Sequence, residues 1–374
     1  MSCENIPGIT VKEFTDIIKM QLEEENYRPV FGLGKGGIGK TESLKDLAVK
    51  ELGIGYVDIR LLLYTETDLK GIPYPDATHT KTIWLQNNIL PIAERDGEKG
   101  ILVLDEITSA NRSIRTAAYQ LLNERKLGEY TLPEKWLIVC IGNGEEDGGD
   151  YQGMEGNFAN RCSVFNVVHN VEAWKDWAIS NNINPLVVGY ITFKPQDLHS
   201  YNPEAENDIL FASPRSWKAV SDILNKHEFD ESNNILVRRI VACIGHAVGY
   251  SFIAYCKLKN RAVDPYKIVN NGDMPVINGV ELTTIVIQSV IKIIGDMIKA
   301  DVTNIHELSS ETVAKLANVV RWLTSLKVEY AVMGIKDLIR YKPDVISKVL
   351  LNKQFQQYCP DFMNFVGKNA GIFN

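Results

Sequence analysis

Gly34-Lys35-Gly36-Gly37-Ile38-Gly39-Lys40-Thr41 fits the pattern G-x-x-x-x-G-K-[ST], and the residues on either side are those that such a loop needs. Upstream, Arg28-Pro29-Val30-Phe31-Gly32-Leu33 is a short run of the buried, parallel-strand type. Downstream, residues 42–51 read as a helix in which Leu44, Leu47 and Ala48 recur at i, i+3 and i+4 and form one apolar face. Glycines allow a tight turn whose backbone N–H groups converge on phosphate oxygens, and the following helix adds the positive end of its dipole. The stretch therefore predicts a nucleoside triphosphate site. Gly34 to Thr41 and the adjacent Glu42 would line it, with Lys40 on the outer phosphates and Thr41 on a magnesium ion.

A second motif follows at the distance that such a site requires. Ile101-Leu102-Val103-Leu104-Asp105-Glu106 is a continuous apolar strand ending in two carboxylates, the form of a Walker B segment. Ligands of open parallel sheets bind at the carboxyl ends of strands, so Asp105 is expected beside the phosphates, holding the metal shell. Glu106 is expected to orient and deprotonate a water. Residues 55–60 alternate like a half-buried strand, and Trp136-Leu137-Ile138-Val139-Cys140-Ile141 reads as a fully buried one. The latter runs into Gly142-Asn143, which carries an amide to the same edge; Asn after Gly is also a common turn former.

Size and composition bound the alternatives. A chain of 374 residues, 45% hydrophobic and 23% charged, can bury a full core and is expected to hold two or three units. The net charge of −7 argues against a protein that holds nucleic acid or anionic membrane by bulk charge. No apolar run is long enough to span a bilayer, and Met1-Ser2-Cys3-Glu4-Asn5 has neither the basic start nor the apolar core of a signal peptide, so a cytoplasmic protein is expected. Six cysteines without C-x-x-C spacing suit reduced thiols rather than a zinc site or disulfide framework.

In their joint order these motifs resemble the AAA+ ATPases, and within them the MoxR-like or dynein-related group. The stretches carrying the resemblance are Asp58-Ile59-Arg60-Leu61, Asp68-Leu69-Lys70-Gly71-Ile72-Pro73, Leu104-Asp105-Glu106-Ile107 and residues 117–128, then Gly142-Asn143, Asn160-Arg161 and Ser213-Pro214-Arg215-Ser216-Trp217. They extend over a little more than half of the chain. The resemblance implies an α/β P-loop core of three layers with a parallel sheet and a helical lid; beyond its reach, the amphipathic patterns of the tail predict an all-helical C-terminal extension. The corresponding boundaries are 1–170, 171–268 and 269–374. It makes Asn143 the residue that senses the γ-phosphate, Arg161 the arginine finger offered to a neighbouring subunit, and Arg215 a second sensing arginine at a helix start. Arg112 and Arg115, on the helix after the Walker B strand, are rival fingers.

The same resemblance implies ATP and Mg2+ as cofactors, a homo-oligomeric ring, six-membered in the usual family form, and a chaperone that remodels a protein partner, including a von Willebrand factor A-type protein. Two other readings share the core: a GTP-using motor of a restriction-type nuclease, and an ATP-dependent docking switch with little turnover. The acidic charge argues against a DNA helicase.

The remaining segments give local expectations. Residues 71–100 form a longer connection than a plain crossover, in a place where family members carry an insertion facing the ring's opening, and Tyr74 and Trp84 are its candidate substrate contacts. Residues 127–133 read as a hairpin, and 144–150 as an acidic, glycine-rich loop that departs from the family pattern. Trp174 and Trp177 share a helical face expected in the core. Residues 235–255 read as one buried helix with His246 as a core histidine, 270–275 as a turn, and 282–300, 312–326 and 328–351 as amphipathic helices.

Overall fold

The computed structural model describes residues 6, 8–144, 160–201, 210–258, 262–301 and 308–369. Contacts divide the chain into two units, Met1–Asn170 and Val171–Asn374.

The first unit is built on a six-stranded parallel sheet. Its strands are β1 (Gly8–Thr10), β2 (Val30–Leu33), β3 (Gly55–Arg60), β6 (Lys99–Asp105), β9 (Lys135–Gly142) and β10 (Ser163–Val168), in the order β1-β10-β2-β9-β6-β3. β6 and β9 are apolar without alternation because both of their faces are covered. Leu102, Leu104, Ile138 and Cys140 face a cluster that contains Ile114, Ala117, Ala118 and Leu121. Ile101, Val103, Leu137, Val139 and Ile141 face Phe14, Ile18, Leu22, Leu44, Leu47 and Ala48. Side chains of period two thus divide the sheet's two faces between helices on opposite sides, and the result is a three-layer P-loop α/β fold with a parallel sheet, as expected.

Helix α1 (Val11–Glu23) starts at a capping box in which the Thr10 hydroxyl accepts the Glu13 N–H and the Glu13 carboxylate accepts the Thr10 N–H. Helix α2 (Lys40–Lys45) begins inside the glycine-rich loop and continues as a π turn over Asp46–Glu51, so the helix expected at 42–51 starts two residues sooner. Short helices α3 (Glu66–Lys70) and α4 (Ala93–Asp96) flank an antiparallel hairpin, β4 (Ile72–Pro75) and β5 (Thr82–Leu85). Helix α5 (Arg112–Glu124) is followed by the small hairpin of β7 (Lys126–Leu127) and β8 (Tyr130–Thr131), close to where one was expected. The acidic stretch expected as a loop at 144–150 lies, from residue 145 onward, outside the described residues.

The second unit is helical: α6 (Val171–Ser180), α7 (Pro185–Phe193), α8 (Pro214–Lys226), α9 (Asn234–Ile244), α10 (His246–Lys257), α11 (Val280–Asp301), α12 (Ser310–Ser325), α13 (Val328–Arg340), α14 (Pro343–Leu351), α15 (Lys353–Tyr358) and α16 (Pro360–Lys368). One apolar cluster centres on Tyr190, Trp217, Phe252 and Tyr255, and a second on Val290, Ile294, Val320, Trp322 and Leu338. Helix α11 belongs to both, with Ile285 in the first and Val286, Ile287 and Val290 in the second. Trp174 is buried, whereas Trp177 is only partly so.

Two local expectations are corrected. The helix read over 235–255 is two helices, broken at Gly245, whose φ of 82° lies in the left-handed region. A Cβ there would stand 2.7 Å from the Leu210 carbonyl oxygen, so the break is enforced by a close backbone approach. His246, just past the break, is exposed rather than in the core, with its ring 4.6 Å from that of Tyr250. The helix expected over 328–351 is likewise interrupted, because Pro343 supplies no N–H and opens a new helix instead of continuing the old one.

Candidate active site

β2, β9 and β6 are adjacent and parallel, so the residues that follow them arrive at one edge of the sheet. The strand ends are joined there. The Gly34 N–H donates to the Gly142 carbonyl at 3.2 Å, and the Ile107 N–H donates to the Ile141 carbonyl at 3.1 Å. The phosphate-loop pattern, the Asp-Glu pair and Asn143 are therefore brought together, as their spacing in sequence predicts.

Lys40 is 5% exposed, and its ammonium folds back over the loop to donate to the carbonyls of Gly34, at 2.6 Å, and Lys35, at 2.8 Å. Ile38 anchors the loop by packing into the apolar layer with Leu44 and Leu47. Lys35, Gly36 and Gly37 are half-buried, while Gly39 and, in the first turn of α2, Glu42 are exposed. The Thr41 hydroxyl donates to Asp105 Oδ2 at 2.9 Å, so two hard oxygen donors converge where a magnesium ion would be held. Asn143 Oδ1 lies 4.0 Å from the position that a Cβ on Gly36 would take, which brings its amide to the wall of the loop.

Glu106 stands just past the end of β6 with φ 57°, a left-handed conformation uncommon for a non-glycine residue. Its N–H donates to Asp105 Oδ1 at 2.8 Å, and its carboxylate lies 3.8 Å from the Arg60 Nε. Arg60 sits opposite Asp105 in the pairing of β3 with β6. The Tyr56 hydroxyl, on the same strand, donates to the Thr41 carbonyl at 3.3 Å. Loss of hydration at this crowded strand end, and then the negative charge of Asp105, push the Asp58 carboxyl up to about 6 although its side chain still reaches water. Arg60 and Lys45 act in the opposite direction.

The expected arginines fall elsewhere. Arg161 is exposed and stands two residues before β10, whose first residue pairs with the first residue of β2. It therefore lies at the amino edge of the sheet, across from its own phosphate loop. Arg28 holds that segment by donating to the Asn160 carbonyl at 3.1 Å and the Cys162 carbonyl at 3.5 Å. Arg112 is exposed at the start of α5, and Arg115 is buried. Arg215 belongs to the second unit. It is exposed in the first turn of α8, after the Ser213 cap and Pro214. Tyr74 is 55% and Trp84 36% exposed on the β4–β5 hairpin. Because Tyr74 pairs with Ile83 and Pro73 with Trp84, the two aromatics lie on opposite faces.

Sequence reasoning assigned no role to Arg60, Tyr56 or Thr108. The first two are recognisable only once β3 is known to lie beside β6, and Thr108 carries no motif of its own. Among the described residues no helix is long and apolar enough to cross a membrane.

No protein-family model matches this chain, and no curated protein matches it. Solved structures do. A protein from Cytophaga hutchinsonii ATCC 33406, provisionally named as an ATPase, is similar at 14% identity and a TM-score of 0.33, over 68% of this chain and 74% of that one. The RuvB Holliday junction branch migration motor of Thermotoga maritima is similar at 14% identity and a TM-score of 0.32, over 62% and 67%. Hsp104 in its closed state with ATPγS and FITC casein is similar at 16% identity and a TM-score of 0.36, over 63% and 44%. Likenesses this distant decide nothing about the chemistry, which rests on the geometry of the site.

Proposed function

We propose that this chain is an ATPase of the AAA+ class that hydrolyses Mg-ATP at the boundary between neighbouring copies of itself. The observation that carries the reading is the convergence of Lys40, the Thr41–Asp105 pair at 2.9 Å, Glu106 and Asn143 at one edge of a parallel sheet. In this reading the backbone of residues 34–41 and the N-terminal end of α2 cradle the phosphates, with Glu42 beside them. Lys40 exchanges its contacts with the Gly34 and Lys35 carbonyls for the outer phosphates. Thr41 and Asp105 hold the magnesium ion, which neutralises phosphate charge when bound. Glu106 accepts the proton of the attacking water, and Asn143 fixes that water or the γ-phosphate. Arg161 of one copy and Arg215 offset charge on the transferring group.

The ring, of six copies in the family's usual form, would use the cycle to remodel a protein partner in the manner of MoxR-like chaperones. A von Willebrand factor A-type protein is one such partner. The β4–β5 hairpin is the proposed contact, because Ile72, Tyr74, Ile83 and Leu85 share one exposed apolar face. Residues 171–268 would serve as the lid and 269–374 as an extension of it.

Phosphate release by the parent chain, measured with ATP and with GTP beside Glu106→Gln and Lys40→Ala, tests the assignment. The expected result is a loss of turnover by about two or more powers of ten in both variants, with ATP binding kept in Glu106→Gln and weakened in Lys40→Ala. Turnover in Glu106→Gln at the parent's rate, or a parent that binds no nucleotide, would contradict it. A clear preference for GTP would favour the nuclease-motor reading of the same core.

A further inference from the structure

Asn143 is held by a contact that none of the motifs announces. Thr108 follows the Asp105-Glu106 pair by two residues and is 1% exposed. Its Oγ1 accepts the Asn143 N–H at 3.1 Å. The carbonyl of the same peptide group, that of Gly142, accepts the Gly34 N–H at 3.2 Å. A peptide group is planar, so binding its two ends to different elements fixes its orientation and with it the Cα of Asn143. Thr108 and the phosphate loop thus clamp one peptide plane from opposite sides.

The packing around this plane is equally restrictive. A Cβ on Gly142 would lie 2.5 Å from Thr108 Cγ2 and 2.9 Å from its Oγ1. The threonine occupies the space that any larger residue at 142 would need, and its methyl and hydroxyl groups both bear on the Gly142–Asn143 step. Gly142 is glycine for this reason, and not because of an unusual φ.

From this geometry we infer that Thr108 is a positioning residue, which sets the Asn143 amide against the phosphate loop by way of the Gly142–Asn143 peptide. Thr108 does not touch substrate. It links the segment after Glu106 to Asn143, adding a side-chain bond to the Ile107–Ile141 backbone bond that already joins the two strand ends. The inference rests on the reading of Asn143 given above.

Steady-state ATP hydrolysis by the full chain tests it, with Thr108→Val, Thr108→Ser, Asn143→Ala and the double variant Thr108→Val/Asn143→Ala compared at equal concentration. Valine keeps the shape and removes the acceptor, whereas serine keeps the acceptor and removes the methyl. The expected result is a kcat about tenfold or more lower in Thr108→Val with KM for ATP within about twofold of the parent, and a kcat near the parent's in Thr108→Ser. Adding Thr108→Val to Asn143→Ala should lower kcat no further, because the effect passes through Asn143. A parent-like kcat in Thr108→Val, or the same proportional loss with Asn143 already removed, would overturn the role of Thr108 while leaving the ATPase reading intact. If Thr108→Val does not fold, Thr108→Ala carries the comparison against Thr108→Ser. A parent chain without turnover would overturn the ATPase reading, and this inference with it.

Discussion

Glu106 is placed by its neighbours against its own conformational preference. A non-glycine residue at φ 57° costs of order 1–3 kcal/mol, and the bond from its N–H to Asp105 Oδ1 helps to keep it there. The strain sits at the residue expected to activate water, next to the one expected to hold the metal. Asp58 shows the other cost of gathering carboxylates at this edge. Its carboxyl is raised from an ordinary value of 3.8 to about 6, so the folded chain holds a proton there at pH values where the unfolded chain has lost it. The stabilisation from that proton is complete below pH 3.8 and disappears as the pH rises through about 6. Asp58→Asn should therefore be more stable than the parent above pH 6 and converge on it as the pH falls below 3.8. Solvent screening of this exposed side chain limits the gain to about 1 kcal/mol or less. Melting temperatures of both proteins across this range check the sign, and a constant difference at all pH values would contradict the assignment.

At the scale of elements, the helical unit contains a charged junction in place of uninterrupted apolar packing. Asp337 on α13 is fully buried and accepts from Lys175 of α6 at 2.8 Å, from Gln288 of α11 at 2.6 Å and from Arg340 of its own helix. Arg340 extends the network by donating to Glu172 at 2.7 Å and to Asp176. Both oxygens of the buried carboxylate accept from donors, Oδ1 from Lys175 and Arg340 and Oδ2 from Gln288, which offsets the cost of burying the charge. Asp337→Ala would leave Lys175, 2% exposed, with Glu172 at 4.0 Å as its carboxylate among the described residues. It should destabilise this unit by about 3–5 kcal/mol, whereas Lys175→Met leaves Asp337 with Arg340 and Gln288 and should cost less. Chemical denaturation of the full chain checks the order, and equal losses in the two variants would contradict it.

Nothing in the sequence announces that junction, because its members lie on three helices far apart in the chain. The same reason explains which parts of the fold and site were legible. Strands β6 and β9 and the glycine-rich loop were readable because continuous apolar runs and a glycine pattern are local signals. The break at Gly245 was not, since its cause is the Leu210 carbonyl more than thirty residues away in sequence order. Tyr74 and Trp84 were each read as candidate substrate contacts, and strand pairing, which no local signal gives, puts them on opposite faces. In the site, Lys40, Thr41 and Asp105 follow from motif spacing, and Asn143 from its place after a buried strand together with the family resemblance. Arg60 and Thr108 enter only through the order of the strands and the path of the chain beyond β6.

For the molecule as a whole, the position of Arg161 has the widest consequence. Its own phosphate loop follows the carboxyl end of β2, while Arg161 lies beside the amino end of that strand. An exposed arginine so placed faces away from the phosphate loop of its own chain, and in the proposed function it serves the site of another copy. The proposed ATPase is then incomplete as a monomer, and its activity belongs to an assembly. The ATP hydrolysis rate per chain, followed across a wide range of protein concentration beside Arg161→Ala, tests this most directly. The account predicts a specific rate that climbs with concentration in the parent and stays near zero in Arg161→Ala, although the variant still binds ATP. A parent rate independent of concentration and unchanged by loss of Arg161 would place the whole site within one chain and contradict the account.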